Sequence, residues 1–180
     1  MNNKFENDLR ESCECAAEFL REKHKRYNDE SGLNGNDRLY SGEREFVAEV
    51  YRLLIEKDPS YRDKLFIEAI RPDKGEVTGK KTPDLVYRNG KYEKCVIEVK
   101  APVDHRADGS EFPKERDEED IESDYEKLQD NYDQFDTKFL IVAYLGDPII
   151  DNGREFLLGD FEKWIHKNFP DNGKIKVIVC

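Results

Sequence analysis

Three side chains in the stretch TPDLVYRNGKYEKCVIEVKAP, residues 82–102, have the types and spacing to do chemistry together: Asp84, Glu98 and Lys100. Asp84 opens one apolar run and Glu98 and Lys100 close the next, with the turn signal Asn89-Gly90 between them. Side chains alternate along a strand, so Glu98 and Lys100 share a face and Val99 takes the other. A hairpin pairing around Asn89-Gly90 brings Asp84 onto the neighbouring strand near them. Charges taken out of water are costly unless they pair or bind a metal, so packing alone does not call for three of them on a core hairpin. Asp84 and Glu98 are hard oxygen donors suited to Mg²⁺, with Mn²⁺ as its substitute. Mg²⁺ takes one or two carboxylates, keeps several waters and commonly meets substrate phosphates. Lys100 beside such an ion orients or deprotonates a water, or stabilises a developing negative charge. The implied reaction is metal-assisted hydrolysis of a phosphodiester. The plainer alternatives are a strand-edge aspartate at Asp84 and a surface ion pair at Glu98 and Lys100.

The segment GEREFVAEVYRLLIEK, residues 42–57, carries Phe46, Val47, Val50, Leu53 and Leu54 on a helical stripe. At about 100° per residue, Glu43 falls within that apolar face, while Glu45 and Glu49 fall to its side or back. A glutamate there is odd for packing and suits a site. It also reads as a first-turn acid favoured by the helix dipole. Residues 119–135, EDIESDYEKLQDNYDQF, place Ile121, Tyr125, Leu128, Tyr132 and Phe135 at helical spacing.

Pro83-Asp84, thirteen residues, then Glu98-Val99-Lys100 resembles the signature of the PD-(D/E)XK nuclease superfamily. That group includes restriction endonucleases, archaeal Holliday-junction resolvases and the N-terminal nuclease domain of type I restriction R subunits. A second dipeptide, Pro72-Asp73, lies too far from Glu98 in a polar, turn-rich stretch to serve. The run Glu43-Arg44-Glu45-Phe46-Val47 is similar to the first-helix motif of the resolvases, and the resemblance puts Glu43 beside the metal. Ile97 to Pro102 is similar to the R-subunit domain. Leu128-Gln129-Asp130-Asn131-Tyr132 resembles the glutamine-tyrosine element of these nucleases, although here the spacing is Gln-x-x-Tyr. The resemblance implies Asp84, Glu98, Glu43 and the Val99 carbonyl as metal ligands. It implies Lys100 acting on the water or transition state, and Gln129 holding the site or the substrate backbone. Gln129 equally suits the exposed side of an ordinary amphipathic helix.

The elements that must position these residues follow an α/β pattern. Helices are predicted over residues 5–27, with Phe5, Leu9, Cys13, Ala16, Leu20 and Tyr27 on one stripe, then over 42–57, 119–135 and 155–168. Strands are predicted over 64–70, from 83, over 94–100, over 138–144 and over 175–179. A polar loop spans 28–36, and a basic hairpin tip sits at Lys80-Lys81. Without the first helix the order is α-β-β-β-α-β with an added α-β. The resemblance implies a restriction endonuclease-like core with a central mixed sheet flanked by helices. A chain of 180 residues suits one domain. Residues 1–40 form a helical extension, 41–145 the core, and 146–180 a final helix and strand.

Charge and cysteine content narrow the function classes. The net charge is −11, which argues against simple nucleic-acid binding. It is uneven: residues 104–136 hold 14 acidic against 4 basic side chains, and the remainder nearly balances. That acidic segment reads as a solvated loop, as a lid over the site, or as a dock for a basic partner. Arg21, Lys23, Lys25, Arg26 and Lys80-Lys81 are candidates for phosphate contact or plain surface charge. No apolar run reaches the ~18 residues of a membrane helix, and MNNKFENDLR shows no signal-peptide pattern, which points to the cytoplasm. Cys13, Cys15, Cys95 and Cys180 are then expected as free thiols, and His24, His105 and His166 show no ligand spacing.

Two function classes follow. One is a Mg²⁺-dependent endonuclease acting on nucleic acid, with DNA the expected substrate, in restriction, repair or defence. Many nucleases of this group dimerise to cut both strands, so a homodimer is one arrangement the resemblance implies. The alternative is a catalytically silent module on the same fold, engaging a protein partner through residues 104–136.

Overall fold

Two runs rich in β-branched and aromatic residues flank Asn89-Gly90, and they form the paired strands expected of such residues. The structure, a computed structural model, describes residues 3–32, 42–67, 83–90, 93–101, 115–145, 149–151, 154–156 and 158–180. Its helices are α1 (Asn3–Glu30), α2 (Glu43–Lys57), α3 (Glu115–Asn131) and α4 (Leu158–Asn168), with a 3-10 turn over Pro59–Asp63. Its strands are β1 (Leu65–Ile67), β2 (Leu85–Asn89), β3 (Glu93–Lys100), β4 (Thr137–Val142), β5 (Ile149–Asp151), β6 (Arg154–Phe156) and β7 (Ile175–Val179).

The class is α/β. One open, mixed sheet runs in the order β1-β2-β3-β4-β7. β2 is antiparallel to both β1 and β3, while β3, β4 and β7 run parallel. Parallel neighbours need a long crossover, and α3 and α4 supply the two crossovers.

The helices divide between the sheet's faces. Phe5, Leu9, Cys13, Ala16 and Leu20 of α1 and Phe46, Val50 and Leu54 of α2 pack on Leu85, Tyr87, Cys95, Ile97, Val99, Phe139 and Ile141. Phe5 stacks on Tyr87 at 3.8 Å between ring centres. On the other face Ile121 and Leu128 of α3, with Phe161 and Ile165 of α4, pack on Val86, Val96, Leu140, Val142 and Val177. Because alternate residues serve alternate faces, the middle of each central strand is apolar on both sides, as in Cys95-Val96-Ile97 of β3 and Phe139-Leu140-Ile141-Val142 of β4.

Several expected boundaries move. Tyr27, placed on the apolar stripe of α1, is half exposed, and the buried stripe ends at Leu20. The helix expected from residue 155 starts at Leu158. Arg154–Phe156 instead pairs with Ile149–Asp151, and the intervening sequence Asn152-Gly153 repeats the dipeptide signal Asn89-Gly90. α3 starts at Glu115, so nine of the 14 acidic residues of 104–136 lie on a helix rather than mostly on a loop. Tyr132 and Phe135 lie beyond its end yet are buried. Lys138 of β4, itself buried, donates to the carbonyls of Leu128 (2.5 Å) and Gln129 (3.3 Å) and so satisfies the end of α3.

The Lys80-Lys81 tip, Pro72-Asp73, His105 and residues 104–114 of the acidic segment lie outside the described residues. Among the described residues, no helix is long and apolar enough to cross a membrane. The four cysteines form no disulfide: Cys13, Cys95 and Cys180 are buried and Cys15 is exposed.

Candidate active site

Strand register puts Asp84 in place. The β2–β3 ladder runs from Asn89↔Glu93 to Leu85↔Ile97, so one further step sets Asp84 across from Glu98. A two-residue turn at Asn89-Gly90 would instead set Asp84 across from Cys95. Asn89 stays in the strand, and the chain turns after it through Gly90, whose φ of 71° suits a residue without Cβ. Asp84 Oδ2 accepts a hydrogen bond from the Val99 N–H at 2.7 Å, which locks the carboxylate to β3 between Glu98 and Lys100.

Glu98 is 1% exposed and lies on the α3 face of the sheet. Both its oxygens are held: Tyr132 Oη donates to Oε1 at 2.8 Å, and Lys127 Nζ to Oε2 at 2.8 Å. Lys100, on the same face, ends β3 and bridges two helices. Its Nζ lies 3.1 Å from Asp124 Oδ2 on α3 and 3.3 Å from Glu43 Oε2 in the first turn of α2. Asp124 Oδ1 lies 3.8 Å from Lys127 Nζ. Glu98, Asp124 and Glu43 are therefore linked through the two ammoniums into one chain of ion pairs where β3, α2 and α3 meet, and Asp84 stands within reach of its charges.

The electrostatics follow from burial. Burial pushes the Asp84 carboxyl up to about 6. The Val99 N–H opposes this, whereas the negative charges of Glu43 and Asp124 add to it. Burial likewise raises Glu98 to about 7, against the pull of Lys127 and Tyr132. Burial alone would lower Lys100, but Asp124 and Glu43 more than offset it, so its ammonium is held above the ordinary lysine range.

The structure brings Glu43, Asp84, Glu98 and Lys100 together, as their spacing predicts. Glu43 is a first-turn acid of α2 and also a partner of Lys100. Gln129 is placed differently. It is exposed, and its backbone carbonyl accepts from Lys138. Leu128 takes the buried position instead, and the helix presents Asp124 and Lys127 to the strands. The side chain of Val99 packs on the opposite face with α1 and α2. Asp124 and Lys127 were missed in the sequence, although a signal existed. Asp124 stands within the stripe Ile121–Leu128 just as Glu43 stands within its own. Two basic candidates are engaged elsewhere: Arg21 donates to the Tyr144 carbonyl at 2.8 Å, and Lys23 pairs with Glu45. Lys25 and Arg26 are exposed.

The donor set is all oxygen, partly buried and short of positive charge, which fits a hard divalent cation. Asp84 and Glu98 would hold it. Among the described residues, no three His, Cys, Asp or Glu side chains gather as a ready-made metal cage. Compared with family models, with curated proteins and with solved structures, the chain matches none.

Proposed function

We propose that the chain is a Mg²⁺-dependent nuclease that hydrolyses phosphodiester bonds, with DNA the expected substrate. The observation that carries this reading is the meeting of Asp84, Glu98 and Lys100 on one face of a paired hairpin, with Glu43 joining from α2. The bound cation would supply Lewis acidity toward phosphate oxygen and lower the pKa of a bound water. Asp84 is fixed by the Val99 N–H, so its remaining oxygen keeps a set direction. Glu98 is fixed by Tyr132. Lys100 holds its proton tightly between Asp124 and Glu43. That favours a fixed positive charge that orients a water or stabilises a phosphorane-like oxygen, rather than a base that removes a proton.

The test is cleavage of plasmid, linear duplex, single-stranded DNA, a four-way junction and RNA with Mg²⁺, Mn²⁺ or EDTA. Wild-type protein is expected to cut at least one of these only with the divalent ion. Lys100→Ala is expected to lose on the order of 10²–10³ in rate, the usual cost of removing a group that stabilises developing charge. Equal cutting by the variant, or none by wild type on any substrate, would remove the nuclease reading. The remaining reading would be a silent module on the same fold. The exposed acidic side chains of α3, from Glu118 to Asp130, favour a basic protein as its partner.

A further inference from the structure

Lys127 holds an unusual place in the cluster. Its ammonium sits between two carboxylates, 2.8 Å from Glu98 Oε2 and 3.8 Å from Asp124 Oδ1. It also attracts the Asp84 carboxylate through space. Glu98 is buried, so its ionised form needs a counter-charge beside it. Lys127 is 19% exposed at its side chain and rides on a flexible four-carbon stem at the edge of α3. Its head can leave for solvent while Tyr132 still holds Glu98 Oε1.

We propose that Lys127 is an internal stand-in cation that neutralises Glu98 and Asp124 until a divalent ion displaces it. The idea rests on the nuclease reading and assigns Lys127 a positioning role in it. Without a divalent ion, Lys127 screens the repulsion between Glu98 and Asp124 and holds Glu98 turned toward α3. A divalent ion held by Glu98 would have to compete with Lys127 for that carboxylate, so the strength of Lys127's grip would set metal affinity. This predicts opposite signs for two substitutions. Lys127→Met removes the competitor. Lys127→Arg strengthens it, because a guanidinium fork can hold a carboxylate through two parallel bonds and stays charged throughout.

Isothermal titration of Mn²⁺ into wild type, Lys127→Met and Lys127→Arg at pH 8, with circular dichroism to confirm folding, reads the effect directly without turnover. Lys127→Met is expected to bind Mn²⁺ roughly tenfold tighter, and Lys127→Arg several-fold weaker, the scale on which outer partners tune a metal site. Should Lys127→Met fail to fold, the sign for Lys127→Arg decides alone. Unchanged affinity in the variants, or a shift of the opposite sign, overturns the stand-in role and leaves the nuclease reading intact. No Mn²⁺ binding by wild type overturns both.

Discussion

β3 presents two faces that obey different rules. Toward α1 and α2 it offers Cys95, Ile97 and Val99, all buried in a continuous apolar cluster. Toward α3 it offers Val96, then Glu98, then Lys100. The α3 face also holds both buried charged side chains among the described residues, Glu98 and Lys138. One face of the same strand is therefore spent on stability, and the other gives up apolar area to hold charge. Buried charge of this kind rarely stabilises a fold more than apolar side chains of equal volume would. Its presence on one face only is what marks that face as a site. The lysines on this face also differ. Buried Lys138 meets helix carbonyls, which is a structural cap, and has one exposed carboxylate, Asp133, at 3.8 Å, whereas the partly exposed Lys127 and Lys100 meet carboxylates that outnumber them.

The comparison breaks most visibly if the apolar face is cut. Ile97→Ala is expected to cost about 2–5 kcal/mol by transfer and cavity effects. Metal-dependent cleavage per folded molecule should stay near wild type. Urea unfolding together with single-turnover rates checks this. A rate collapse without unfolding would mean the two faces are not separable. On the charged face, Tyr132→Phe deletes the donor to Glu98 Oε1. The expected loss is about 1–3 kcal/mol, the cost of a buried acceptor left short of a partner. The Glu98 pKa should also rise further, since the Tyr132 hydrogen bond lowers it. Carbonyl chemical shifts across a pH titration would show it, and an unmoved pKa would deny Tyr132 that role.

A pH-dependent effect sharpens the contrast between faces. The Asp84 carboxyl moves from its ordinary 3.8 up to about 6 in the folded chain. A raised folded value means that the fold binds the extra proton, so this group's contribution is fully present below about 3.8 and is lost as pH rises through about 6. Asp84→Asn keeps an acceptor for the Val99 N–H and removes that dependence. The metal-free variant is therefore expected to exceed wild type by up to about 3 kcal/mol well above pH 6. That corresponds to roughly 6–12 °C in Tm, and the advantage should vanish toward about pH 4. Thermal melts at three pH values in EDTA read it. A variant less stable than wild type at pH 8 would show that Asp84 supports the fold rather than straining it.

The sequence by itself determined much of this protein. Apolar periodicity set α1, α2, β2, β3, β4 and β7 within a few residues, because each must bury one stripe or two faces. The alternation in Cys95-Val96-Ile97-Glu98-Val99-Lys100 assigned Glu98 and Lys100 to one face, because the period of a strand is fixed. The interrupted stripe of α2 singled out Glu43. Only the tertiary structure decided the rest. Hairpin register depends on where the chain turns, and the turn beyond Asn89 is what sets Asp84 opposite Glu98 rather than Cys95. Which residue of α3 meets β3 depends on how the helix rolls on the sheet. That roll buries Leu128, exposes Gln129 and delivers Asp124, Lys127 and Tyr132 to the carboxylates. Local patterns fix an element and its face; the neighbour that a charged side chain finds across space is set by packing between elements distant in the chain.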